Sequence, residues 1–373
     1  MALQEWEQKV QPATDKLVHV GRLVFDDLDE QRGGVGWWHE MLDWKRIVLL
    51  SDYLLQSIDG SVTSLARASY AAVEHRGIQN AMDYEIVKKI RAGLMPYPDQ
   101  TPTERKQQLR REMTIEQVLY HLCQCLDRLA AAVLIVGAVN VRNVVKADWS
   151  TVENVLETPD GPKPGSGLRA ASKAPLMPTG TPGRALQDAL LEPVRDTNLF
   201  GPRDWLPWMR ETRNAATHRA DSTKMLLLKG QPGSPEGLHR GLPRVPKLSD
   251  VETFVHAPTS GRALEKVVLA KGTPATLEGL TESTASLAAA LADSMAECWL
   301  NWKASPPSLT APGQQWRVIE PPPPLHFEGY GPNVNVLLGP GAEVRVHPST
   351  GKRLRAALIL DAAGGQNRWE REP

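Results

Sequence analysis

Apolar residues recur at intervals of three and four along several long stretches of this sequence, and this spacing limits the fold more than any other feature. The first clear stretch covers residues 37–58, and the pattern returns at 61–73, 82–94, 114–141, 184–197 and 274–302. In a helix of about 3.6 residues per turn, such spacing gathers the apolar side chains on one face. The sequence therefore predicts a mainly α fold in which amphipathic helices form a bundle.

The stretch 114–141 is rich in leucine, alanine and valine and is expected to lie at the centre of the bundle. Thr114 followed by Gln117 resembles a capping box, which marks a helix start. The longest apolar run, 129–139, is too short to cross a bilayer, and the N-terminus lacks the basic start and apolar block of a signal peptide. With 41% hydrophobic and 23% charged residues, the chain is predicted to be a cytoplasmic protein with no membrane partner.

Proline and glycine divide the chain into regions of different character. We expect residues 1–305 to form the helical bundle, with a flexible loop at about 158–183 and a β-rich insertion at about 222–272. Residues 306–373 contain a proline run and short alternating stretches, which predict a Pro-rich linker and a small β-rich C-terminal tail. In that tail Lys352, Arg353 and Arg355 are candidates for RNA contact, although a solvated turn is the simpler interpretation.

The stretch 205–221 combines helical periodicity with side chains suited to chemistry, and Asp204 before it is a natural N-cap. At about 100° per residue, one side of this helix is predicted to pack and carries Trp205, Trp208, Met209, Thr212, Ala215 and Ala216. The small alanines would let another helix approach closely. The opposite side, which we call the polar ridge, carries Arg210, Arg213, Asn214, Thr217, His218 and Asp221 and is expected to face solvent.

The segment RNAATH, residues 213–218, resembles the signature of the HEPN superfamily (higher eukaryote and prokaryote nucleotide-binding domains). That signature is an arginine, a polar residue that is often asparagine, three variable residues and a histidine, on a late helix of a helical bundle. Arg213, Asn214 and His218 match its fixed positions. The resemblance implies a HEPN-like helical bundle. It also implies a metal-independent endoribonuclease, a toxin or phage-defence effector, in which two motif copies meet at a homodimer interface.

If the resemblance holds, RNA is cleaved by attack of a ribose 2′-hydroxyl on the adjacent phosphorus, with no cofactor. His218 is the candidate acid or base, because histidine changes its charge near neutrality and a helix C-terminus favours the imidazolium. Arg213 would stabilise the phosphorane with its planar donors, and Asn214 would orient the phosphate or His218. Arg210 and Thr217, on the same ridge, are the candidates for substrate binding. One motif supplies one histidine, so a C2 dimer would complete the acid/base pair.

A second class of function stays open: a non-catalytic, dimeric HEPN-like module that binds nucleotide, RNA or a protein partner through the polar ridge. The formal net charge of zero favours it, because broad nucleic-acid surfaces are basic. A third possibility is that a partner protein, either an antitoxin of the nucleotidyltransferase type or a component of a defence system, modifies or masks the ridge.

Two further groups of residues were weighed as sites. The basic run Arg105, Lys106, Arg110 and Arg111 would suit phosphate, but a solvated helix face is the usual interpretation. No metal site is predicted, because His39, His75 and His121 fall in none of the metal-binding spacings and the three cysteines form no metal-spaced quartet.

Overall fold

The computed structural model describes residues 4–93, 101–141, 144–160, 174–218, 227–228, 238–247, 252, 267–305, 346–357 and 359. The prediction of a mainly α fold is confirmed. The helices are α1 (Glu5–Asp26), α2 (Trp44–Arg91), α3 (Pro102–Val136), α4 (Trp149–Glu157), α5 (Pro182–Arg195), α6 (Trp205–His218), α7 (Thr273–Ala304) and α8 (Pro348–Ala356). Short 3₁₀ turns at Gly36–Glu40, Val144–Lys146 and Thr197–Phe200 join some of them.

The core lies among α1, α2, α3 and α7, and α5 and α6 pack on α7 and α3 respectively. Polar pairs give the directions: Glu74–Arg110 and Ser64–Gln124 for the antiparallel α2 and α3, Lys9–Glu278 and Lys16–Asp293 for the parallel α1 and α7. Core side chains such as Leu17, Ile47 and Leu129 are fully buried. Each contributes about 1.5–3 kcal/mol through removal from water, so packing rather than helix propensity holds the bundle together.

Helix α2 is one helix of 48 residues where the periodicity predicted separate helices at 37–58, 61–73 and 82–94. The predicted break falls at Gly60, which lies inside the helix and faces α3. A Cβ at Gly60 would come within 2.8 Å of Arg128 Cδ. The Arg128 side chain instead donates to Gly60 O and to Ser64 Oγ, both at 2.7 Å. Gly60 therefore allows α3 to pack closely against α2 and does not interrupt the helix.

Two helix starts differ from those that the sequence predicted. Helix α1 begins at Glu5, whereas the first clear helical periodicity in the sequence begins at residue 37. Helix α3 begins at Pro102 rather than after Thr114, because Thr101 accepts from the Glu104 backbone N–H and the Glu104 carboxylate accepts from the Thr101 N–H. This reciprocal capping box lies just before the basic run that begins at Arg105. Thr114 is buried in mid-helix.

The earlier start of α3 also fixes the place of the basic run. Arg105 and Lys106 are exposed on the first turns of the helix. The Arg110 guanidinium binds the Glu74 carboxylate at 2.7 Å. Arg111 is buried. The run is thus a helix face for three of its members, and Arg111 belongs to the interior.

The apolar character of α3 comes from its central position in the bundle. An 18-residue window within it has a mean hydropathy of 1.5, and 72% of that window is buried inside the protein. Helices of this kind are common in protein cores. The prediction that this stretch lies at the centre of the bundle is confirmed.

The strands within the described residues are short. Leu28–Asp29 (β1) pairs antiparallel with Gly34–Val35 (β2), and Leu227–Leu228 (β3) with Leu238–His239 (β4). The second pair and an isolated bridge between Pro243 and Val268 fall inside the predicted β-rich insertion. Most of that insertion, and residues 161–173 of the predicted flexible loop, lie outside the described residues.

The described part of the C-terminal tail contains a helix, α8, in a region predicted to be β-rich with turns; residues 306–345 lie outside the described residues. Its basic side chains bind the bundle. Lys352 Nζ donates to Phe25 O at 2.7 Å, and Arg353 Nε donates to Asp52 Oδ1 at 2.7 Å. Arg355 pairs with Glu30 at 3.0 Å. These partners, rather than RNA or a solvated turn, account for the basic cluster.

Candidate functional site

The candidate site lies on α6, which packs on α3 through Trp205, Leu206, Met209 and Thr212, all buried. Two indole groups fix its position. Trp205 Nε1 donates to Thr197 O at 2.8 Å, and Trp208 Nε1 donates to Pro243 O at 3.2 Å. Asp204 has φ 61° and contributes its backbone carbonyl to the first helical hydrogen bond, from the Trp208 N–H. The motif helix is thereby held at both the bundle and the insertion.

The buried face of α6 is rotated relative to the prediction. Leu206, which the predicted apolar side omitted, is 1% exposed, whereas Ala216 is exposed and Ala215 is half-buried. Arg213 follows Leu206 by about two helical turns and therefore lies on almost the same face. The predicted burial of Ala216 is wrong, because the buried face includes Leu206 and turns Ala216 toward solvent. The polar ridge is consequently not a single solvent-facing surface.

Arg213 points toward α3 and is half-buried. Its guanidinium lies near Cys123 and Asp127 on that helix. Burial raises the pKa of the Cys123 thiol, and Arg213 opposes that rise. Burial likewise raises the pKa of the Asp127 carboxyl, which the Trp149 N–H and the positive charge of Arg213 lower. The Nε of Arg213 is buried and has no hydrogen-bond partner among the described residues.

Arg210, one helical turn before Arg213, is bound by α4. Its Nη1 donates to both carboxylate oxygens of Glu153, at 2.8 and 2.7 Å, and its Nη2 donates to Ser150 Oγ. Helix α4 is in turn fastened to α3, because Asp127 Oδ1 accepts from the Trp149 N–H at 3.1 Å. Arg210 therefore positions α6 against α4, and its guanidinium is engaged by a carboxylate.

The last turn of α6 carries the remaining motif residues. Asn214 and Thr217 are exposed, and the Thr217 hydroxyl donates to Arg213 O at 2.8 Å. His218 is the final residue of the helix. The backbone thus brings Asn214, Thr217 and His218 to the C-terminal end of α6, where Asn214 and Thr217 are exposed. Carbonyl groups at that end carry partial negative charge, which favours a cation or an imidazolium.

Sequence analysis missed the partners of the two arginines, Cys123, Asp127, Ser150 and Glu153. Cys123 and Asp127 are four residues apart and so share one face of α3, a signal that was present in the sequence. Helix α4, which supplies Ser150 and Glu153, was not predicted; Asp148 caps it by accepting from the Thr151 N–H at 2.9 Å. Across the described ranges, no group of three or more side chains has the arrangement of a metal site.

Comparisons of this chain with protein-family models, with curated proteins and with solved structures found no match. Inferences about its function therefore depend on the geometry of α6 and its neighbours.

Proposed function

We propose that this protein is a metal-independent endoribonuclease of the HEPN type. In the proposed reaction the ribose 2′-oxygen loses its proton to a base and bonds to phosphorus, and the bond from phosphorus to the 5′-oxygen breaks. The leaving oxygen takes a proton, so the products are a 2′,3′-cyclic phosphate and a 5′-hydroxyl. The observation that carries the proposal is the exposed end of α6, where Asn214 and Thr217 lie beside the terminal His218.

The roles follow from the chemistry of the side chains. His218, at a helix C-terminus that favours its protonated form, acts as the general acid. Asn214 orients the phosphate or the imidazole, and Thr217 contributes to substrate binding. Arg213, which lies against α3, stabilises the phosphorane with its guanidinium. Arg210, which is bound by Glu153, is assigned to positioning α6.

In the proposed homodimer, each site combines the arginine of one subunit with the histidine of the other. Arg213 and His218 are five residues apart, which places them about 140° apart around the helix axis. Two copies of α6 meeting across a two-fold axis would bring the histidine of one copy toward the arginine of the other. A toxin or phage-defence effector in the cytoplasm, silenced by an antitoxin or activated by a defence partner, is the setting we propose for this activity.

The decisive experiment is incubation of the purified protein with mixed cellular RNA in EDTA, with His218→Ala in parallel. Wild type should leave 2′,3′-cyclic phosphate ends, and the variant should lose at least about 100-fold in rate, the lower range for general acid/base catalysis. Arg203→Ala is the matched control, because the Arg203 side chain is 89% exposed just before α6. Full activity of His218→Ala would refute the mechanism.

Mixing two inactive variants tests the dimer. If each site takes Arg213 from one subunit and His218 from the other, then Arg213→Ala mixed with His218→Ala restores one intact site in half of the dimers. About one quarter of wild-type activity should return after subunit exchange. No recovery, with exchange verified by mass spectrometry, would show that the two residues do not act across subunits.

A specific observation favours a second candidate function, a non-catalytic module that binds nucleotide, RNA or a protein partner. Both arginines of α6 face neighbouring helices, and the exposed Asn214 and Thr217 are uncharged. Such a module would bind RNA without cleaving it. Its affinity would fall only slightly with salt, because few phosphates would be neutralised. RNA binding measured at several salt concentrations, in samples that show no cleavage, distinguishes the two functions.

A further inference from the structure

A second polar cluster is formed by residues of α2, of α3 and of the segment after β4. Its member on α3 lies about three helical turns before Cys123. His75, Gln79 and Asp83 lie on one face of α2, Arg111 lies on α3, and Arg240 follows β4. His75 is 0% exposed, Gln79 3% and Arg111 7%. The Arg240 side chain is 9% exposed. Charged and amide side chains are rarely buried to this degree unless they bind one another or a ligand.

The backbone of Arg240 is fixed, and its guanidinium presents an unused edge. Arg240 O accepts from the Thr273 N–H at 2.8 Å and from Thr273 Oγ1 at 2.9 Å. Arg240 Nε lies 3.4 Å from Asp83 Oδ1, outside hydrogen-bonding geometry. Nε and Nη2 are both buried and find no acceptor in the described part of the chain. These two N–H groups form the side of a guanidinium that binds two oxygens of a carboxylate or phosphate at once.

Two buried acceptors lie in the same cluster. His75 Nδ1 is 3.2 Å from Arg111 O, which can only accept, so Nδ1 carries the proton and Nε2 presents a lone pair. Burial, together with the positive charges of Arg111 and Arg240, lowers the pKa of His75 to about 4, which keeps the ring neutral at pH 7. Gln79 donates to Asp83 Oδ1 at 2.7 Å and leaves its Oε1 as an acceptor. Within the described ranges, neither His75 Nε2 nor Gln79 Oε1 has a donor.

The ligand must therefore accept from a guanidinium edge and donate to a ring nitrogen or an amide oxygen. A phosphate group that retains one proton has both properties, whereas sulfate has no proton to donate at neutral pH. We propose that His75, Gln79, Arg111 and Arg240 form a buried site for a protonated phosphate group. Its bare oxygens bind the Arg240 edge, its P–OH donates to His75 Nε2 or Gln79 Oε1, and Arg111 adds positive charge.

Asp83 is the internal competitor for this site. Its carboxylate is the nearest acidic group to Arg240, and burial raises the pKa of this carboxyl even though Gln79, Arg240 and Arg111 lower it. A bound phosphate group replaces Asp83 as the partner of Arg240. Glu112 lies 3.9 Å from Arg111 and offsets part of its charge. Asp83 and Glu112 thus reduce the net positive charge of the site, which favours an anion of low charge that bears a proton.

The test uses the purified full-length protein in titration calorimetry at pH 7 and constant ionic strength, with sodium phosphate, sodium sulfate and sodium chloride as separate titrants. Phosphate should bind saturably, and sulfate should bind about tenfold or more weakly for want of a donated hydrogen bond. Arg240→Gln should abolish phosphate binding. Arg244→Gln, a change in the same segment where Arg244 Nε donates to Val268 O, should leave it intact.

Asp83→Asn separates an anion site from a simple ion pair and does not depend on whether Arg240→Gln folds. An anion site gains affinity for phosphate, by about threefold to tenfold, when the competing carboxylate is removed. An Arg240–Asp83 ion pair alone predicts a destabilised protein with no phosphate binding. A further titration with glycerol phosphate shows whether the site binds the free phosphate ion or the phosphate group of a monoester. Equal heats for phosphate, sulfate and chloride would overturn the proposal and assign the polar atoms to water.

Discussion

Replacing Arg213 by alanine should lower the free energy of unfolding by about 1–2 kcal/mol. The side chain is half-buried against α3, and its three methylenes contribute about 0.8 kcal/mol each when fully buried, so about half of that total is at stake. The change also removes positive charge near Asp127, whose carboxyl is partly buried, at a further cost of about 0.5–1 kcal/mol. Part of this loss of stability is recovered, because the change also removes the Nε donor, which is unfavourable when it is buried without an acceptor.

The measurement is urea unfolding followed by far-ultraviolet circular dichroism, with Arg213→Ala compared against two controls. Arg203→Ala removes an arginine that is 89% exposed, and His218→Ala changes the last residue of α6. Both controls should lie within about 0.5 kcal/mol of wild type. The slope of free energy against urea should stay the same, since the folded and unfolded surfaces barely change.

Equal midpoints for Arg213→Ala and Arg203→Ala would refute the inward orientation of Arg213. Arg213→Lys refines the result, because lysine keeps the charge and most of the stem but lacks the planar donor edge. We expect Arg213→Lys to recover most of the stability while remaining poor in RNA cleavage. A variant that is stable and inactive assigns the guanidinium to the reaction, whereas one that is stable and active assigns it to packing.

Three further predictions concern the interior. The pKa of His75 is lowered from 6.5 to about 4. Because the unfolded state binds the proton at higher pH than the folded state, the free energy of unfolding should fall by about 3 kcal/mol as the pH drops from 6.5 to 4. In urea unfolding, His75→Gln should lose this dependence of stability on pH. Gly60→Ala should destabilise by about 1–2 kcal/mol in the same assay by displacing Arg128, whereas Gly77→Ala, with nothing within 4 Å of the new Cβ, should stabilise by about 0.5–1 kcal/mol. Cys125, fully buried with a pKa raised to about 12 by burial, should resist iodoacetamide at pH 8 until urea unfolds the protein, as peptide mass spectrometry would show.

The positions of the helices were predictable because helical spacing is a local signal, and α3, α5, α6 and α7 were each found close to their predicted stretches. Continuity of α2 through Gly60 was not predictable, since it depends on Arg128 of another helix. The capping box at Thr101 was legible in the sequence, but the polar composition of the segment suggested a loop. Local sequence signals thus predicted which stretches are helical, whereas contacts between helices determine where each helix begins and ends.

The candidate site was likewise predictable in part. The motif predicted that Arg213, Asn214 and His218 share α6, and the helix Trp205–His218 contains them all. How deeply Arg213 is buried depends on Leu206, two turns earlier, and on the position of α3. The phosphate cluster was beyond reach, because Gln79, Arg111 and Arg240 are far apart in the chain and only the packed bundle brings them together.

The residues of a motif such as RNAATH are adjacent in sequence, but on a helix they differ in how deeply they are buried. Arg213 turns toward Asp127 and Cys123, while Asn214, one residue later, is exposed. The arginine is therefore held in one orientation by α3, and α4 holds the helix by binding Arg210 through Glu153. An enzyme gains from such fixed charge, because stabilisation of a phosphorane requires donors that are already in place. A binding module gains less, since an arginine that faces its own core is lost to the partner. The orientation of Arg213 thus makes one question decisive: whether a second copy of α6 brings its histidine within reach of Arg213.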